Sequence, residues 1–180
     1  MLYSRKEGCR VCNFSGRVPE SFSTQEWDQG KLDALSVVAP QALPGWLAIH
    51  DEYGALPFEA LFGRAIEYAE QGIELTEANC YFLNFAKSIA PQNMQFDYYN
   101  AQSYEMGDRL KQAKTAKALR TLAKDPQAIT QGKIADAIQK TVTNHHGALM
   151  LTDIKSDSVS WQSPLVEEVF GRRVAVPPHN

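Results

Sequence analysis

The stretch LPGWLAIHDEYGALPFEALFGRAIEYAEQG, residues Leu43–Gly72, carries two helix-length segments between marks of punctuation. Pro44 suits the first turn of a helix, where its missing N–H leaves no bond unmade, and Gly54 supplies a stop, so the spacing predicts a helix over Pro44–Tyr53. A second opens at Pro57, places Leu61, Ala65, Ile66 and Ala69 on one face, and ends at Gly72. Such stripes face a core. The stretch therefore reads as scaffold, and any chemistry has to be sought outside it.

Towards the N-terminus, LSVVAP from Leu35 reads as a short strand ended by proline, preceded by a Ser-, Pro-, Gln- and Gly-rich loop from Ser15 to about Lys31. Before the loop, a hairpin is expected: Leu2–Ser4, a turn around Lys6–Gly8, and a return strand over Arg10–Phe14. Towards the C-terminus, Thr76 opens a third helix that carries Tyr81, Phe82, Phe85 and Ile89 and stops before Pro91. The polar and aromatic QNMQFDYYNAQSYEMGD is an irregular excursion. Two further helices follow in LKQAKTAKALRTLAKD and GKIADAIQKTVTNH, interrupted by Pro126 and Gly147. LVEEVFGRRVAVPPHN closes the chain as two strands around a Gly-Arg turn. The pattern is α+β, with few strands for its helices and apolar strands at both ends that lack an obvious partner within the chain.

Composition excludes several function classes. The 180 residues hold 18 basic and 21 acidic side chains, a net charge of −3, with no basic patch for nucleic acid or an anionic membrane. There is no apolar run long enough to span a bilayer, and MLYSRKEGCRVC has charges where an export signal needs apolar residues. Cys9, Cys12 and Cys80 are an odd set that forms no disulfide framework, so a reducing compartment is the simpler assumption. Cys9-x-x-Cys12 lacks the second ligand pair of a zinc site. His145 and His146 are adjacent, so on a helix they point about 100° apart and cannot share a metal from one face; at a helix end they serve as caps. A nucleophile, His50 and Asp51 can be combined on paper, but no strained elbow presents a hydroxyl. Phosphate-binding glycine loops are absent. No metal and no cofactor is expected.

The order PGWLAIHDEYGALPFEALFGRAIEYAEQGIEL, GDRLKQAKTAKALRTLAKD, ITQGKIADAIQKTV, GALMLTDI and VFGRRVAVPPHN resembles the large-subunit segment of the γ-glutamyltransferases, also known as γ-glutamyltranspeptidases or glutathione hydrolases. The resemblance runs from about Leu35 to Asn180 and more loosely back to Leu2. It implies an N-terminal-nucleophile hydrolase, a sandwich of two sheets between helical layers, matured by self-cleavage into a large and a small subunit. This chain would supply mainly the helical layer and a few edge strands.

The resemblance implies further that the nucleophile is a threonine whose freed α-amino group acts as its base, and that it begins the small subunit. Thr24, Thr76, Thr115, Thr121, Thr130, Thr141, Thr143 and Thr152 are present, but none stands at a strand start with a second sheet's worth of sequence behind it. Thr143, beside Asn144 and His145, reads as a late helix residue. No catalytic residue is therefore expected here, and the small catalytic subunit is the implied partner. The large subunit's implied contribution is an arginine binding the α-carboxylate of a γ-glutamyl compound, within Arg-Glu-x-Ala-Pro after the hairpin. The matching text here is NFSGRVPESF. Arg17 stands two residues before Pro19 instead of four, and Ser15 holds the spacing-matched position. Serine cannot replace bidentate recognition by a guanidinium. Either Arg17 reaches the site by a local shift, or the chain resembles acylase-like relatives with another acyl preference.

Relatives have more sequence on either side, so the 180 residues read as an internal part of a precursor: a split, truncated or frameshifted gene product, or an excised piece. They form a single domain or a fragment. Relatives are commonly periplasmic or extracellular, some cytoplasmic, and the chain itself does not decide the compartment. Two other readings stay open, a non-enzymatic helical interaction module and a nonfunctional remnant.

Overall fold

The computed structural model describes residues 1–25, 34–89, 103–156 and 159–178. Its first sheet is built from the two ends of the chain. Strands β1 (Leu2–Ser4) and β2 (Gly8–Asn13) form the expected hairpin, with Leu2 opposite Arg10. Strand β5 (Ser160–Gln162) pairs antiparallel with β2, Cys12 facing Trp161 and Asn13 facing Ser160. The N-terminal hairpin therefore has a partner within the chain, contrary to expectation; a three-residue strand of Ser, Trp and Gln carries too little periodicity to stand out in sequence.

One face of this sheet packs on helix α1 (Ala42–Tyr53). Contact is close because Gly45 sits against Phe14, leaving no room for a side chain. Beyond α1, residues Phe58–Phe62 form a 3-10 turn that leads into α2 (Gly63–Gln71). The single helix expected from Pro57 is thus a tight turn followed by a helix. Leu43 of α1 and Phe62 meet Ala123 of α4 (Ala113–Lys124) in one core cluster, with Ile66 and Leu119 packed around it. Arg120 of α4 holds Glu70 of α2 through bonds of 2.6 and 2.8 Å.

Helix α3 (Glu77–Ile89) opens as expected at Thr76: its hydroxyl accepts from the Asn79 N–H, and Asn79 Oδ1 accepts from the Thr76 N–H. It packs under a two-residue ladder of β3 (Ile73–Glu74) and β4 (Arg109–Leu110), where Leu75, Cys80 and Leu110 are buried. Most of the expected QNMQFDYYNAQSYEMGD excursion lies outside the described residues; at its end, Tyr104 and Asn84 exchange two hydrogen bonds of 2.9 and 3.0 Å.

A third cluster joins Ala34 and Ala39 to Ala135 and Val142 of α5 (Lys133–Asn144) and to Leu149 and Ile154. Ile154 belongs to α6 (Leu151–Lys155). The strand expected at LSVVAP is not formed. Ala34–Ser36 is a 3-10 turn, and Val37–Gln41 runs irregularly, joined to residue 17 by an Ala39 N–H bond of 3.1 Å to the Arg17 carbonyl. Small residues buried against α5 hold this segment, while Pro40 removes a donor that a ladder would need. His145 and His146 follow the last turn of α5, but the expected side-chain caps are not formed among the described residues: their backbone N–H groups return to the Val142 and Thr143 carbonyls instead, and His146 takes φ 61°.

Strands β6 (Leu165–Val169) and β7 (Arg172–Val176) form the closing hairpin. Its turn is Phe170-Gly171, both at positive φ, in place of the expected Gly-Arg. This ribbon pairs with no other strand among the described residues, and Leu165, Val166, Val169, Val174 and Val176 are exposed along it.

Candidate functional site

The segment that leaves β2, Asn13–Arg17, is fixed at both sides by glycine. Phe14 lies against Gly45 of α1, and Gly16 lies so close to the Ala39 carbonyl that a Cβ there would stand 2.1 Å from its oxygen. Between these contacts Ser15 donates its N–H to Asn13 Oδ1 over 3.1 Å. Further along, the loop is anchored to the start of α6. Asp153 Oδ1 accepts the Glu20 N–H at 3.1 Å, while Oδ2 caps α6 by accepting the Met150 N–H at 2.8 Å. Ser21 Oγ donates to the Ala148 carbonyl at 2.9 Å. Sequence reading missed Asp153; an acid three residues after a helix-opening position was the available signal, weakened because Met150 is no typical cap.

A hollow of about 460 Å³ opens at the end of β2, lined by Val11, Cys12, Asn13, Phe14, Ser15, Pro177 and Pro178 together with Met1. The structure thus brings the spacing-matched Ser15 and the closing Pro-Pro together. Arg17 is not in the lining. It is exposed, and its guanidinium makes no hydrogen bond or ion pair among the described residues. The lining contains no charged side chain.

Next to the hollow, Arg10 ties β2 to α1 and β5. Its guanidinium donates to Glu52 at 2.5 Å and to the Tyr53 hydroxyl at 2.8 Å, and lies 4.2 Å from the centre of the Trp161 ring. The bond to Glu52 holds it protonated well beyond its ordinary range. Burial pushes the Tyr53 phenol up, with Glu7, which accepts its proton at 2.9 Å, adding to the shift. Burial also raises the Cys12 thiol, which works against any role as a nucleophile.

The other constellations from the sequence come apart. Cys9 and Cys12 are three apart on a strand and so point to opposite faces. Among the described residues no cluster of His, Cys, Asp and Glu could hold a metal, and no helix is long and apolar enough to cross a membrane. His50 Nε2 is 2.7 Å from the Leu56 carbonyl, in an apolar groove with Phe58, whereas Asp51 faces a different cleft. All eight threonines are described. Thr115, Thr121, Thr141, Thr143 and Thr152 lie within helices, and Thr24, Thr76 and Thr130 in turns or caps; none begins a strand.

The family model described as Gamma-glutamyltranspeptidase matches residues 1–180. The chain belongs to the γ-glutamyltranspeptidase family. One relative is the capsule biosynthesis protein CapD proenzyme of Bacillus anthracis, 32% identical over 142 residues, which cover 76% of this chain and 26% of that protein. The chain therefore spans about a quarter of this relative's length. A γ-glutamyltranspeptidase from Pseudomonas nitroreducens, solved in complex with L-DON, superimposes with a TM-score of 0.85 at 19% identity, covering 98% of this chain and 55% of that one. The cephalosporin acylase from Bacillus halodurans also superimposes with a TM-score of 0.85, at 23% identity, covering 98% and 36%. The α+β fold is thus that of the family's N-terminal-nucleophile hydrolases, represented here by much of a helical layer and by short strands. Both transpeptidases and an acylase share it, as the resemblance implied.

Proposed function

We propose that this chain is the large-subunit part of a γ-glutamyltranspeptidase-like hydrolase, which transfers or hydrolyses γ-glutamyl groups of glutathione-type compounds only together with a small subunit that brings the threonine nucleophile. The observation that carries the reading is the family match over all 180 residues, combined with threonines that sit in helices, turns and caps. An N-terminal nucleophile needs a free α-amino group beside its hydroxyl at the edge of a sheet. A threonine inside a helix has its nitrogen tied into a peptide bond and its hydroxyl turned to the preceding carbonyl, as Thr141 does at 2.8 Å to Ala137.

The exposed β6–β7 ribbon supports the need for a partner, since an isolated two-stranded hairpin is marginal in water and its apolar residues gain from being covered. In the assembled enzyme, Arg17 is the candidate for the substrate carboxylate, reaching it from the loop beside the hollow. A γ-glutamyl anilide assay tests the proposal. The purified chain is expected to release no aniline alone and to support release when combined with a threonine-initiated small subunit of the family, with Arg17→Met raising KM in that assembly. Turnover by the chain alone that disappears on replacing one of its own threonines would overturn it.

A second reading is favoured by the lining of the hollow. Ser15 is in it and Arg17 is not, so the acyl group accepted there lacks an α-carboxylate, as in the acylase-like branch. Ser15→Arg in the assembled enzyme separates the two. Under this second reading it raises kcat/KM for a γ-glutamyl donor at the expense of an uncharged acyl amide; under the first it blocks a site that Arg17 already serves.

A further inference from the structure

Arg17 stands between two fixed points. Its own carbonyl accepts the Ala39 N–H at 3.1 Å. Two residues further on, the buried Pro19 opens a turn that closes with the Phe22 N–H on the Pro19 carbonyl at 3.0 Å. Only Val18 separates the two points, and both it and Arg17 are exposed. A side chain on so short a span takes its direction from the ends, so whatever holds the turn also limits the arc that the guanidinium can sweep.

The turn is held from the start of α6. Glu20 is its second residue, and the bond that closes a turn, from the first carbonyl to the fourth N–H, leaves the second N–H outside it. Asp153 accepts that N–H through Oδ1 at 3.1 Å, and Ser21 Oγ adds a bond of 2.9 Å to the Ala148 carbonyl. The carboxylate is itself firmly placed. Its other oxygen accepts the Met150 N–H at 2.8 Å, and Leu149 and Ile154 on either side of the cap are 0% exposed. Capping α6 takes one oxygen of Asp153; the second is spent on the loop. Hydrogen bonds to an ionised acceptor are about twice as strong as neutral ones, so this is the firmer of the two contacts that α6 and its approach make with the turn.

We propose that Asp153 is a positioning residue for substrate binding: it holds the Pro19–Phe22 turn so that Arg17 is presented to the substrate carboxylate over one narrow arc. The inference rests on the reading that Arg17 binds that carboxylate in the assembled enzyme. Asp153 itself touches no substrate and acts through the turn. Without it, the loop has to be ordered at the moment of binding, a cost that falls on affinity and not on the chemical step.

Trypsin, which cuts after arginine, reads the turn in the full chain without substrate, the product being identified by the mass of the fragment that starts at Val18. Asp153→Ala removes both bonds of the carboxylate. Glu20→Pro removes only the loop's N–H, suits the second position of a turn and leaves the α6 cap in place, so it carries the test should Asp153→Ala fail to fold. Cleavage of a locally opened segment follows the population of the open form, so each variant is expected to speed cutting after Arg17 about tenfold. Folded variants cut at the parent's rate would overturn the proposal. In the assembly with a threonine-initiated small subunit, each variant is expected to raise KM for a γ-glutamyl anilide about fivefold with kcat unchanged, and to raise it no further once Arg17→Met is present. The same rise with and without Arg17→Met, or a fall in kcat alone, overturns the route through Arg17. Faster cutting together with an Arg17→Met variant of parental KM overturns the carboxylate reading instead, and with it the link from the turn to substrate.

Discussion

The contact between Gly45 and Phe14 provides the sharpest test of the fold. Gly45 lies in the first turns of α1, where replacing glycine by alanine ordinarily stabilises a helix by about 1 kcal/mol through propensity alone. Here the new Cβ would stand 2.2 Å from Phe14 Cγ, 2.4 Å from Cδ1 and 2.5 Å from Cβ. Carbon atoms in favourable contact sit about 3.5–4.0 Å apart, so strand and helix must separate by more than about 1 Å or the ring must leave its rotamer. Overpacking of this kind costs about 1–3 kcal/mol. Because the clash involves the strand-attached Cβ as well as the ring, the upper end applies, and the net loss for Gly45→Ala is about 2 kcal/mol. For a chain of this length, Tm falls by about 4–8 °C. Urea unfolding followed by far-UV circular dichroism measures the loss. The partner variant Phe14→Ala removes the two ring contacts and leaves the third, so Gly45→Ala is expected to cost at least about 0.5 kcal/mol less in that background. A Gly45→Ala chain as stable as the parent, or an equal loss in both backgrounds, would refute the close approach of α1 to β2.

Three further outcomes are expected. Leu149→Ala and Ile154→Ala, both at positions with 0% exposure, each destabilise by about 2–5 kcal/mol in the same urea experiment. Phe170, fully exposed at φ 51° in the β6–β7 turn, is costly there, so Phe170→Asn stabilises by about 1 kcal/mol and raises amide-exchange protection of the hairpin. Burial, and then the charge of Asp108, hold the Tyr104 phenol above its ordinary value of 10.0, so the folded state keeps a proton that the unfolded state has released. The associated stability is complete below about pH 10 and is lost as pH rises through the folded value; Tyr104→Phe therefore flattens the alkaline fall in stability seen by chemical denaturation.

Much of the helical framework was legible because its signals are local. Pro44, Gly54 and Gly72 mark helix limits, Thr76 with Asn79 forms a cap, and the apolar stripes of α2, α4 and α5 recur at the helical period. LSVVAP misled because apolar, β-branched text is equally consistent with a buried irregular segment when small residues such as Ala39 pack against α5. The pairing of β2 with β5 was hidden for a different reason: register between strands almost 150 residues apart depends on contacts that no window can contain. At the candidate site, the displacement of Arg17 relative to Pro19 was readable from spacing. That Ser15 lines the hollow while Arg17 does not was hidden, because the placement of this segment involves contacts distant in sequence, Gly16 against the Ala39 carbonyl among them. The burial of Gln41 was equally invisible, since it depends on the Ser156 carbonyl meeting its amide from the far end of the chain.

Asp153 holds the loop that carries Arg17 from a position 133 residues further along the sequence than the Glu20 it binds. On a ribosome adding about 5–20 residues per second, those residues take about 7–27 s to appear. Throughout that time the loop has no anchor, while the α1–α4 cluster can already form from residues made earlier. The edge of the hollow is thus among the last parts to be assembled. Order in time follows from the address of a single carboxylate: a nascent chain arrested before residue 153 would hold a packed helical layer and an unfinished site.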